Sequence, residues 1–250
     1  MYDYASEKSR ILDKRYTCPI CDKQITAKAV KSNTARFLDS KADLRPIHSN
    51  INVTKYETVC CPNCGYAVLT KNIDNINQIQ KKLIRDKIQA NYKPHEEPPC
   101  DYYTTEMAIS RMKMVLLCTV TKEAKSSEIG DVCLKLSWLY QDLADEIAED
   151  DPNADSKRNS YLTEAKNAAM NAYNYLSEAR MHEVSPFAGM NETTLDYLLA
   201  DLAYQKGEYQ TAMQFLSNVV ANRNTTPRLK DKSLDLKELL SAKLHGEEEA

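Results

Sequence analysis

The sequence predicts a mainly α protein, in which a small four-cysteine β module of zinc-ribbon type precedes a larger domain of antiparallel helix pairs. Three observations carry this expectation. Two Cys-x-x-Cys pairs, Cys18-Pro19-Ile20-Cys21 and Cys61-Pro62-Asn63-Cys64, stand on either side of 39 residues near the start. Beyond residue 72, apolar side chains recur at helical spacing almost to the end. With 42% apolar residues and only 5 Gly and 9 Pro in 250, the composition is that of a globular, helix-rich chain. The division expected is residues 1–71 for the metal module, 72–97 for a connecting amphipathic helix and linker, and 98–246 for the helical domain.

The cysteine pairs dictate the chemistry of the first part. A tetrahedral zinc takes four soft ligands, and each Cys-x-x-Cys turn offers two thiolates while its backbone N–H groups hydrogen-bond the sulfurs. Cys18, Cys21, Cys61 and Cys64 are therefore the predicted ligands of one structural Zn2+. Metal, rather than an apolar core, is expected to shape the first quarter of the molecule. Pro19 and Pro62 fix φ after the first cysteine of each pair, and Gly65 supplies a residue that accepts positive φ where the turn swings away. Asp22 holds the equivalent place in the first pair. Cys60 abuts Cys61 and is expected on the opposite side of the strand as a spectator thiol. His48 lies between the pairs as a surface histidine, and four cysteines leave it no coordination position to fill.

The remaining elements follow in order. Residues 1–15 form a polar lead-in with a short helix around 6–14. Residues 24–30 alternate and residues 53–59 are rich in β-branched and aromatic side chains, so both read as strands beside the cysteine turns. The loop over 37–52 carries Asp39, Asp43, Arg45 and His48. Ile73, Ile76, Ile79, Leu83, Ile84 and Ile88 mark an amphipathic helix over 72–92, with Lys81, Lys82, Arg85 and Lys87 off its apolar stripe. The Pro-rich stretch 93–100 breaks the pattern, and its His95 and Cys100 make no metal site. Helices are then predicted over 104–121, 128–148 and 156–181, with Cys118 and Cys133 serving as small hydrophobes. Ala165, Ala168, Ala169 and Ala172 give the third of these a face low enough for close packing. A helix, a turn at Gly207 and a second helix fill 193–220, a last helix spans 234–244, and residues 247–249 form an acidic tail.

Small residues where the last two paired helices meet, Ala203 and Ala212, with Leu199, Tyr204, Tyr209 and Leu216 around them, resemble a tetratricopeptide repeat. The wider order of parts resembles a known family. Cys18-Pro-x-Cys21, the Asp43-Leu44-Arg45 segment, the Cys61-to-Ala67 run, Leu136-Ser-Trp-Leu-Tyr140 and the block from Tyr197 to Ala212 together resemble the bacterial family catalogued as domain of unknown function 2225. That resemblance implies a cytoplasmic protein of low-GC Gram-positive type, with a cysteine-rich first part and tetratricopeptide-like helices after it. It implies no activity.

Charge and localisation bound the function. Residues 1–16 are charged throughout and contain no secretory signal, and no apolar run approaches the roughly 20 residues that cross a bilayer. A cytoplasmic protein with thiol cysteines and no membrane partner is expected. The formal net charge of −3 conceals an asymmetry: residues 1–94 hold 17 Lys+Arg against 9 Asp+Glu (+8), and residues 95–250 hold 16 against 27 (−11). A basic first half suits nucleic acid, and it suits the acidic helices of the same chain equally well. A closed set of four cysteines argues against a catalytic metal, and no nucleophile–base set or phosphate loop is present, so no enzymatic activity is expected. The principal reading is a zinc-binding scaffold whose helices take a protein or peptide partner. Nucleic-acid binding through the basic half is the alternative, and a thiol redox switch is the third reading.

Overall fold

The structure, a computed structural model, describes residues 4–248. Residues 1–3 of the expected lead-in and Glu249 of the expected acidic tail lie outside the described residues. The first part is built from three two-stranded antiparallel hairpins and short helices. Helix α1 (Tyr4–Ser9) leads into β1 (Ile11–Thr17), which pairs with β2 (Gln24–Val30) from Ile11↔Val30 to Thr17↔Gln24. Strands β3 (Phe37–Ser40) and β4 (Pro46–His48) form the second hairpin. A 3-10 turn (Val53–Tyr56) precedes β5 (Thr58–Cys60), whose partner is β6 (Ala67–Leu69).

Helix α2 (Gln78–Lys87) follows, and then the helical domain: α3 (Thr105–Thr121), α4 (Ser126–Asp145), α5 (Ala154–His182), α6 (Glu192–Lys206), α7 (Tyr209–Ala221) and α8 (Pro227–Glu248). Local chemistry sets the ends of several of these. Asn77 accepts from Gln80 N at 2.9 Å while the Gln80 side chain accepts from Asn77 N at 3.2 Å, a reciprocal cap that starts α2. Thr104 and Asn191 accept from Met107 N and Thr194 N and start α3 and α6. Gly207, at φ +89, ends α6 and turns the chain into α7.

Several expectations change, and the last helix, expected over 234–244, runs as α8 from Pro227 to Glu248 and takes in residues 247 and 248 of the expected tail. The helix expected over 6–14 ends at Ser9, because residues 11–17 are drawn into pairing with β2. The strand expected over 53–59 splits: Asn52 accepts from Thr54 N at 3.1 Å and winds the segment into a 3-10 turn that buries Lys55 against Glu7. The helix expected over 72–92 contracts to α2, flanked by 3-10 turns, because its cap lies at Asn77. The loop over 37–52 contains the β3–β4 hairpin.

The apolar residues of the first part do more than line a metal cage. Ile20, Ile25, Val59, Val68 and Leu69 share one buried cluster with Ile84 of α2, Met112 and Val115 of α3 and Leu139 of α4. The expectation that metal replaces an apolar core there is corrected: the β5–β6 hairpin rests on α3, and the β1–β2 hairpin joins it in a core common to both parts. A second cluster joins α4 to α8 through Leu134, Trp138, Leu176, Leu198, Leu216 and Leu240. Between α4 and α5 the alanine face works as expected, since Ala165, Ala168, Ala169 and Ala172 are all buried. Gly130 of α4 sits against it, with Leu176 so close that an added Cβ would stand 2.7 Å from its Cγ.

Ion pairs join the two parts of the molecule. Arg45 pairs with Asp142 at 2.7 Å, Lys71 with Asp131 at 2.8 Å, and Lys135 with Glu57 at 2.6 Å, each linking the first part to α4. Among the described residues, no helix is long and apolar enough to cross a membrane.

Candidate metal centre

Each Cys-x-x-Cys pair occupies the turn of a hairpin, and the two turns are built alike. In the first, Cys18 N donates to Lys23 O at 3.0 Å and Asp22 N to Cys18 O at 2.9 Å. In the second, Cys61 N donates to Tyr66 O at 2.8 Å and Gly65 N to Cys61 O at 2.9 Å. Asp22 and Gly65 take the positive φ that each turn requires, +59 and +76. Antiparallel pairing of β1 with β2 and of β5 with β6 holds the turns, and contact of β2 with β5, which itself packs on α3, brings them face to face.

The geometry fits a metal ion. All four sulfurs lie within 4.8 Å of one another. Cys18 Sγ is 3.6 Å from Cys64 Sγ, and Cys21 Sγ is 3.7 Å from Cys61 Sγ. A tetrahedron with metal–sulfur bonds of about 2.3 Å has edges of about 3.8 Å, whereas a disulfide needs about 2.05 Å. All four are free thiols. Cys18, Cys61 and Cys64 are buried and Cys21 is half-buried, so the cluster is closed on most sides.

Electrostatics point the same way. Hydrogen bonds from Cys18 and Cys64, and then from the N–H groups of Asn63 and Cys64, hold the Cys61 thiol far below its usual range. The sulfur bond to Cys61 pushes the Cys18 thiol up to about 12, and bonds with Cys18 and Cys61 push Cys64 up as well. Four thiolates this close repel one another, so holding all of them together needs a cation between them.

The family described as uncharacterized protein conserved in bacteria (DUF2225) matches residues 11–240. The chain belongs to the DUF2225 family. The match runs from β1 through both cysteine turns to Leu240 of α8, so the four-cysteine cluster and the helices are parts of one family unit. No curated protein and no solved structure matches this DUF2225 chain.

The structure of this DUF2225 protein brings Cys18, Cys21, Cys61 and Cys64 together and leaves the other candidates outside. His48 lies half-buried on β4 with its ring edge-on to Phe37, 5.7 Å between centroids. Cys60 faces Arg111 O at 3.9 Å, and burial pushes its thiol up to about 12. Burial also raises Cys133 to about 12, as suits a small core residue.

Three supporting residues escaped sequence reasoning. Cys118 of α3 accepts from Ala67 N at 3.3 Å and faces Gly65 O at 3.5 Å, so it clips the second turn to the helical domain. Arg85 of α2 donates through Nη2 to Ile20 O at 3.2 Å in the first turn. Tyr92 packs against Gly65, where an added Cβ would stand 2.4 Å from the ring. Partners outside the ligand set commonly orient such sites, and the sequence offers no signal for them, because they lie 53, 65 and 27 positions from the residues they support.

Proposed function

We propose that this chain is a zinc-binding scaffold: Cys18, Cys21, Cys61 and Cys64 hold one structural Zn2+, and the tetratricopeptide-like helices of residues 98–246 bind a protein or peptide partner in the cytoplasm. The observation that carries the reading is the closed set of four thiols at tetrahedral spacing. Zinc suits four thiolates without redox chemistry, and four protein ligands leave no position for water or substrate, which supports a non-enzymatic role. Stacked helices joined by short turns bury one face against their neighbours and offer the other to partners, which supports the adaptor role. The nucleic-acid alternative has fewer free cations than the sequence suggests, because Arg45, Lys55, Lys71 and Arg85 are engaged inside the protein.

Metal analysis of the purified chain tests the first part: one zinc per chain is expected, and a coloured iron–thiolate centre or a metal-free protein refutes it. Affinity capture with the zinc-loaded chain tests the second. A protein bound in defined stoichiometry is expected, and nucleic acid recovered in its place would shift the assignment to the alternative.

A further inference from the structure

The Asp43-Leu44-Arg45 segment has no part in the candidate metal centre, yet it is a turn held from several sides. Lys41 N donates to Arg45 O at 2.9 Å, and Leu44 sits at φ +63, a conformation uncommon for a bulky residue. Neighbouring elements hold it there. Asp43, itself buried, accepts from Arg45 N at 3.1 Å and from Gln141 Nε2 of α4 at 2.9 Å. Arg45 Nη1 reaches Asp142 at 2.7 Å and Asp145 at 3.1 Å, and Lys232 of α8 donates to Ser40 O at 2.7 Å. Backbone strain maintained by such clamping clusters at functional sites.

Between this turn and the α4–α5 pair runs a groove of about 540 Å3, within the range of ligand clefts. Its chemistry is of three kinds. Gln141 and Gln205 line it, and their Nε2 groups are committed to Asp43 and Asp201, the latter at 2.6 Å. Both aspartates are buried, so each carboxamide is pinned with its Oε1 oxygen left as an acceptor that takes no other bond among the described residues. Lys41 and Lys166, both exposed on the rim, form no ion pair among the described residues. Leu162 is 43% exposed there beside the low wall of Ala165 and Ala169.

We infer that this groove binds an acidic peptide segment. The inference rests on the adaptor reading and gives it a site and a partner chemistry. The glutamine oxygens accept backbone N–H groups of an extended strand, the two lysines meet its carboxylates, and Leu162 with the alanine wall takes a small apolar side chain. A free phosphate would meet the lysines but bring no run of backbone N–H groups to the two glutamine oxygens, which can only accept.

The test uses the full-length, zinc-loaded chain with labelled side-chain methyls and three probes: a fluorescent hexapeptide pool of Glu, Ala and Leu, a matched pool with Lys in place of Glu, and inorganic phosphate. Expected is binding of the Glu pool with shifts at the methyls of Leu162, Ala165 and Ala169. Lys41→Glu with Lys166→Glu should weaken it about tenfold or more, with zinc content and helical circular dichroism unchanged. Shifts confined to another face overturn the groove and leave the adaptor reading standing. Equal binding of the Lys pool, shifts from phosphate at the same methyls, or no binding of the Glu pool also overturn the groove, and partner capture then judges the adaptor reading by itself.

Discussion

Replacing Gly65 by alanine separates two costs at the second cysteine turn. The first is conformational: Gly65 holds φ +76, and an L-residue in the left-handed region costs about 1–2 kcal/mol. The second is steric. The new Cβ would stand 2.4 Å from Cδ2, 2.7 Å from Cγ and 2.9 Å from Cε2 of Tyr92, so the ring must leave. Leaving gives up its packing over the turn and its bond to His95 Nδ1 at 3.1 Å, a further loss of about 1–2 kcal/mol. Gly65→Ala should therefore destabilise the zinc-loaded protein by about 2–4 kcal/mol, and by only about 1–2 kcal/mol when Tyr92 is already alanine. The first turn supplies a control, because Asp22 holds φ +59 with a side chain in place, and Asp22→Gly should change stability by less than about 0.5 kcal/mol. Denaturant unfolding of the four variants of the Gly65/Tyr92 cycle, with chelator competition for the metal, measures these terms. Equal losses in both backgrounds, or a Gly65→Ala loss below about 0.5 kcal/mol, would refute the reasoning.

Cys61→Ser should release the metal and loosen the hairpins, whereas Cys60→Ser should retain a full equivalent of metal; the reverse pattern in metal analysis would refute the choice of ligand. Lys55 and Glu7 form a fully buried pair at 2.7 Å, and the Tyr56 hydroxyl donates to the same carboxylate at 2.6 Å. Lys55→Met leaves Glu7 buried without its counter-charge and should cost about 3–5 kcal/mol in denaturant unfolding, much of it recovered by adding Glu7→Gln; a loss under about 1 kcal/mol would count against the pair. Asp201 is pushed up to about 6 by burial and then by the nearby Asp43. Its folded value exceeds its unfolded value of about 3.9, so ionising it opposes folding, in part above about pH 4 and in full above about pH 6. Asp201→Asn should raise stability at pH 7 by up to about 3 kcal/mol, and the gain should shrink as pH falls from 6 to 4; a constant gain across that range would show that ionisation is not its source.

The parts legible in the sequence are those whose causes are local. A Cys-x-x-Cys turn needs only its own few residues, and an amphipathic helix such as α3 or α4 displays its period within its own length, so the four thiols and the helices after residue 104 could be read directly. Short strands were another matter. Residues 24–30 alternate plainly enough to be read as β2, but residues 11–17 form β1 because β2 lies beside them, and residues 67–69 form β6 because β5 does; their own patterns are too weak to show it. Window reading also misplaced the start of α2, where one capping residue, Asn77, decides the boundary within a longer apolar period.

By itself, then, the sequence determined that four thiols would sit in two like turns and that helices would follow, since bond geometry and side-chain periodicity act over a few residues. Only the tertiary structure decided that the hairpins share a core with α3, that Cys118, Arg85 and Tyr92 brace the cysteine turns, and that the segment at residues 43–45 closes a groove over α4 and α5. Those contacts join residues as far apart as Arg45 and Asp142, 97 positions along the chain. Burial and hydrogen bonding bring such residues together, and both depend on which surfaces meet once the chain has packed, which spacing along the sequence does not encode.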